Sequence, residues 1–185
     1  TSDKQRDNEV RIYNKFIDTV EDENSTPIKI EFKNEDSFNF AFDVVDELGR
    51  TKPDKLAMLH LDHNKNEKRF TFSQIKRASS QCANYFKSLG IKRGDKVMLV
   101  LKRHYQFWFA ILGLHKLGAI VIPASNLLKE HDYDYRFKSA GVSAIICADD
   151  EEITSEVDLA DKNGGFGLIK IIAGGERNGW HTFDD

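Results

Sequence analysis

Cysteine is scarce in this 185-residue chain, and the two that occur, Cys82 and Cys147, stand far apart and outside any CxxC pair. A zinc site and a redox motif therefore lack support, and each thiol reads as a small buried hydrophobe. Long hydrophobic runs are lacking too: nothing approaches the roughly 18 uninterrupted apolar residues of a membrane-spanning helix. The opening TSDKQRDNEV has neither the basic start nor the apolar stretch of a signal peptide, so a soluble cytoplasmic protein is the expected setting. Charge of one sign is missing as well. Lys and Arg number 27 against 30 Asp and Glu, a formal net charge of −3, and the basic residues are scattered among acidic ones. That balance argues against a nucleic-acid partner.

Several catalytic signatures are also absent. A dinucleotide site needs GxGxxG after its first strand, so that backbone can approach pyrophosphate at a helix N-terminus. Here the bulky KRHYQFWF follows VMLVL, and no Walker loop occurs. The run GGFG at Gly164 to Gly167 precedes a strand instead of following one, and reads as a turn. No GxSxG elbow exposes a serine nucleophile. His60 and His63 have only Asp62 beside them as a further ligand, and in a strand its side chain points away from its sequence neighbours, so no metal is assigned there. The acidic run Asp149 to Glu152 ends a strand as a magnesium site would, but the accompanying acidic, hydroxyl and lysine residues do not fall into place, and it reads as a solvated loop.

What is present is the pattern of a folded domain. Apolar residues make up 40% and charged residues 31%, and the length suffices for a core without cross-links. Residues 1–37 are polar, yet Val10, Tyr13, Phe16, Ile17 and Val20 recur at helical spacing, which predicts an amphipathic arm ending before Pro27. The body is expected over 38–185. Phe38, Ala41, Phe42, Val45 and Leu48 form a helical stripe that Gly49 is expected to close as a left-handed cap. LAMLHLD and RFTF read as a hairpin, and Ser73 as the N-cap of a helix stopping at Gly90. VMLVL, AIVIPA, SAIICA and LIKIIA then alternate with helices over about Tyr105–Leu117, Glu130–Ala140 and Ile153–Lys162. This is the signature of an α/β fold with a doubly wound, mainly parallel sheet and helices on both faces. Any ligand should lie at the carboxyl ends of its strands.

RFTFSQIKRASSQCANYFKSLGIKRGDKVMLVL and KRHYQFWFAILGLHKLGAIVIPASNLL resemble the amino-terminal region of AMP-dependent synthetases and ligases. FNFAFDVVDELGRTKPDK and EHDYDYRFKSAG place the likeness nearest the medium-chain acyl-CoA synthetases and the acetyl-CoA synthetase group, over about Phe38 to Asp185. The resemblance implies a whole enzyme that activates a carboxylate with Mg-ATP to an acyl-adenylate and passes the acyl group to coenzyme A. It also implies that the Ser/Thr/Gly-rich phosphate loop ending in Pro-Lys, the adenine motifs and a lysine-bearing small domain belong to the remainder of the chain. No catalytic residue is named, no metal ligand is assigned, and ATP, Mg2+ and coenzyme A are expected for the full enzyme but not held tightly by these residues alone. Family arginines that hold the coenzyme A nucleotide would fall in DDEEITSEV, where acid replaces base, and they are not carried over. Arg103, Ser125 and Asn126, at strand ends, are the candidates beside a thioester or acyl tunnel. The alternative is a stand-alone α/β binding or interaction module without catalysis.

Overall fold

The computed structural model describes residues 12–184. A 3-10 turn over Ile12–Lys15 leads into β1 (Ile17–Glu21), which pairs antiparallel with β2 (Pro27–Phe32). The amphipathic helix expected here is therefore replaced by a hairpin; Val10 lies outside the described residues. Two local features explain the difference. PIKIEF alternates with period two and Ile17, Thr19 and Val20 are β-branched, both of which favour strands. Asp22 closes the turn, accepting from the Asn24 and Thr26 amides at 2.8 and 2.9 Å.

The phenylalanine stripe is helical, starting as a π-helical stretch over Ala41–Asp46 and continuing as α1 (Glu47–Thr51). Ala41 and Val45 are buried, while Phe38 and Phe42 stay exposed. Gly49 is not the expected cap. It lies inside α1, where a Cβ would stand 3.0 Å from the Phe72 carbonyl oxygen and 3.1 Å from Lys76 Cβ, so glycine serves a close helix approach. β3 (Leu56–Leu61) and β4 (Glu67–Thr71) form the expected hairpin. α2 (Phe72–Ser88) is capped by Thr71, not Ser73, because Thr71 and Gln74 satisfy each other's backbone amides reciprocally.

The remaining chain runs β5 (Lys96–Val100), α3 (Gln106–Leu117), β6 (Ile120–Pro123), α4 (Glu130–Ala140), β7 (Val142–Ala148), α5 (Glu151–Gly164), β8 (Ile169–Ala173) and a short β9 (His181–Thr182). These strands form a five-stranded parallel sheet in the order β6-β5-β7-β8-β9. Successive β5 side chains point to opposite faces, so an apolar strand feeds two cores. Val97 and Leu99 pack with Ile75 and Phe86 of α2 and Phe109 and Leu114 of α3. Met98 and Val100 pack with Tyr133 and Phe137 of α4 and Ile153 and Val157 of α5. No helix of the described residues is long and apolar enough to cross a membrane.

α2 and α3 meet closely at Gly113, where a Cβ would lie 2.8 Å from Cys82 Cβ and 3.1 Å from both the Ala83 nitrogen and the Ser79 oxygen. Gly113→Ala should therefore cost roughly 1–3 kcal/mol by overpacking. Urea unfolding checks this, and an unchanged midpoint would contradict so tight a contact.

Candidate functional site

From β5 the chain passes through α3 to β6 on one side, while β7 lies on the other. Loops leaving β5 and β7 thus diverge at their carboxyl ends, and the crevice between them is where open α/β sheets bind ligands. Lys102, just after β5, holds a left-handed φ of 46° and pairs across this crevice with Asp150, just after β7. Asp150 also caps α5, accepting from the Glu152 and Ile153 amides at 3.0 and 3.3 Å. The Lys102 hydrogen bond above all, with these amides, holds its carboxyl below the usual carboxylate range.

Beside the crevice opens a cleft of about 1080 Å3, walled in part by His60, His63, Lys68, Arg103, Gln106 and Asn126. The hairpin reaches this cleft through His60, whose Nε2 lies 3.0 Å from the Arg103 carbonyl oxygen and whose ring stands edge-on to Tyr105. The Arg103 guanidinium is exposed and makes no ion pair among the described residues. Gln106, at the start of α3, is only 5% exposed. Its Nε2 donates to Asp184 Oδ1 at 3.3 Å, while its Oε1 has no partner among the described residues. Such an unpaired buried acceptor costs about 1–3 kcal/mol. The cleft therefore offers the cationic Lys68 and Arg103, and the carboxylates Asp62 and Asp184, which are already engaged by Asn66 and by Gln106 and the Gly174 amide. It also holds two buried polar atoms without a partner among the described residues, Gln106 Oε1 and His60 Nδ1. The unengaged charges suit an anionic molecule that also carries an N–H or O–H donor.

Of the sequence candidates, Arg103 and Asn126 share this cleft. Ser125 does not line it; its Oγ accepts from the Leu127 amide at 3.1 Å and shapes the local turn. Gln106 carries no signal in the sequence, since nothing in KRHYQ marks which side chain is buried; Lys102 stands at a strand end, but its pairing with Asp150, 48 residues away, has no local signature. The acidic run beyond β7 is engaged in structure: besides the Asp150 cap, Glu151 meets Arg177 at 2.6 Å and Glu152 pairs with Lys129. Among the described residues, no group of three or more His, Cys, Asp and Glu side chains is placed to hold a metal. Burial first, then the Asp184 charge, pushes the Cys82 thiol up to about 12, and burial raises Cys147 further, so neither is a thiolate at neutral pH.

The far side of the sheet is tied by Asp158 on α5, which accepts from Lys170 at 2.8 Å, Arg177 at 2.9 Å and the Trp180 indole at 3.0 Å. Burial by itself would raise this carboxyl, but the three donors outweigh it and hold it below its ordinary value. A depressed folded value gives stability that is present above the unfolded value of about 3.9 and lost as pH falls through the lower folded one. Asp158→Asn should cost about 2 kcal/mol at pH 7, with the gap from wild type closing below about pH 4. Urea unfolding at both pH values tests this, and equal stability at pH 7 would refute it.

The family model described as AMP-binding enzyme matches residues 45–176. Acyl-coenzyme A synthetase ACSM2, mitochondrial, of Rattus norvegicus is 31% identical over 154 residues, covering 79% of this chain and 26% of that protein. Acyl-coenzyme A synthetase ACSM3, mitochondrial, of Homo sapiens is 31% identical over 150 residues, covering 77% of this chain and 25% of that protein. The chain thus spans about a quarter of the length of these curated relatives. Among solved structures, acetoacetyl-CoA synthetase from Streptomyces lividans superposes with a TM-score of 0.71 at 19% identity, over 80% of this chain and 24% of that one. Benzoate CoA ligase from Burkholderia xenovorans gives 0.66 at 22% identity, over 80% and 27%. At such identities these two likenesses bear on the fold alone.

Proposed function

The chain belongs to the AMP-binding enzyme family, and from that premise we propose that it is the opening part of an enzyme that joins a carboxylic acid to coenzyme A. The reaction is a carboxylate attack on the α-phosphorus of ATP, giving acyl-adenylate and pyrophosphate, followed by attack of the coenzyme A thiol on the acyl carbon with release of AMP. The observation that carries this reading is the unbroken family match across the whole α/β unit, joined to relatives that are named as acyl-coenzyme A synthetases.

Within that reading, this chain's residues bind and orient. Arg103, with Lys68 and Asn126 nearby, faces an anionic portion of a substrate across the cleft, and the Gln106 carbonyl oxygen awaits a donor. A guanidinium beside phosphate or carboxylate supplies charge-assisted hydrogen bonds. Mg2+ on ATP would neutralise charge developing on the phosphates. The described residues offer no ligand set for it, so its ligands belong to the rest of the enzyme, as does the phosphate loop. A cytoplasmic setting is part of the same proposal, although the named relatives are mitochondrial.

The test is to give the whole protein ATP, Mg2+, coenzyme A and a panel of short, medium and aromatic carboxylic acids, and to follow pyrophosphate release and thioester formation. At least one acid should support both. If none does while an acid or coenzyme A still binds, the alternative of a binding module takes the place of the ligase.

A further inference from the structure

The β1–β2 ribbon lies outside residues 45–176, the part that the family model matches, and has no third strand among the described residues. A lone two-stranded ribbon is marginal in water. This one also turns an apolar face outward. Directly opposed residues share a face, so the pairs Ile17–Phe32 and Thr19–Ile30 lie together with Ile28, whereas Asp18–Glu31 and Val20–Lys29 lie on the other side. Ile28, Ile30 and Phe32 are 66%, 51% and 65% exposed. Next to them a groove of about 610 Å3 is walled by Tyr13, Phe16, Phe38 and Phe40 among others. Half-exposed side chains of this size present on the order of 600 Å2 of largely apolar surface.

The open edge of β2 complements itself. Laid antiparallel against a second copy and centred on Ile30, PIKIEF sets Ile28 opposite Phe32, Ile30 opposite Ile30, and Lys29 opposite Glu31. Each cross-strand pair is then apolar with apolar or opposite in charge, the two combinations that stabilise antiparallel neighbours. The Lys29–Glu31 ion pair within each strand becomes one half of a four-charge checkerboard. Centring the pairing on Lys29 or Glu31 instead sets like charges face to face, so the register is specified. We propose that the protein carrying this chain associates with a second copy through β2, forming a four-stranded sheet in the order β1-β2-β2-β1 about a two-fold axis. The contact is isologous, made by the backbone groups of the two open edges, and it sets the apolar faces of both ribbons side by side on one face of the enlarged sheet.

Sedimentation velocity on the whole protein tests this with two charge variants. Wild type should be a dimer. Lys29→Glu and Glu31→Lys should each weaken self-association by about tenfold or more, because each places like charges opposite one another twice across the axis. An equimolar mixture of the two variants should recover dimers, since each acidic strand then faces a basic one. The ion pair within each strand stays broken in that mixture, so recovery reports pairing between copies, not repair of the hairpin. A wild type that remains monomeric up to about 100 μM overturns the proposal, as does a mixture no tighter than its components or single variants that dimerise as tightly as wild type.

Discussion

Residues 1–185 by themselves should catalyse no exchange of labelled pyrophosphate into ATP with any carboxylic acid. Adenylation places extra negative charge on the α-phosphate oxygens and on the leaving pyrophosphate, and catalysis depends on donors fixed in advance around both. The sequence contains no Ser/Thr/Gly-rich loop ending in Pro-Lys to supply them, and the acidic groups nearest the crevice are spent on α5 and on lysine and arginine partners. Loss of this machinery removes the whole rate enhancement, at least about 10⁶-fold. Robust exchange by this chain would mean that its own residues form the phosphate site, and the Lys102–Asp150 crevice would be where to find it.

The second large effect concerns Arg103. In the whole enzyme, Arg103→Glu should slow thioester formation by about 10- to 100-fold while leaving carboxylate-dependent pyrophosphate exchange nearly unchanged. The guanidinium is exposed and has no internal ion pair among the described residues, so its removal leaves no buried charge stranded, and the thermal midpoint should hold. On the proposed reading, what is lost is a contact to an anionic portion of coenzyme A, replaced by repulsion. A parallel loss in both half-reactions, or a fall in the midpoint, would assign Arg103 to the fold instead of to substrate.

The parts of the fold that were legible in the sequence are those governed by local periodicity and burial on both faces. VMLVL, SAIICA and LIKIIA became the central strands β5, β7 and β8, and the helices between them end where Gly118, Gly141 and Gly165 stand. Where two periods compete, the chain follows the stronger: Tyr13, Phe16 and Val20 stand at helical spacing, but the alternation in PIKIEF and the Asp22 turn fix a hairpin. Thr71 outcompeted Ser73 as a cap because Gln74 stands three residues after it and completes the reciprocal pair. β9 is two polar residues between the buried Trp180 and Phe183, held by β8, and no pattern of its own marks it.

For the candidate site, topology supplied the place and little more. Strand ends are predictable once the strands are, which is why Arg103 and Asn126 lie in the same cleft. Ser125 lies one residue away from Asn126, yet turn geometry directs its hydroxyl to the Leu127 amide. His60 and Gln106 owe their positions to contacts with residues 43 and 78 positions away, which no local spacing encodes.

The most direct test of the ligase assignment is the nucleotide product. The whole protein should convert ATP to AMP and pyrophosphate only when a carboxylic acid is present, with continuous turnover only when coenzyme A is added as well. ADP and phosphate as products, or ATP consumption indifferent to the acid, would contradict it.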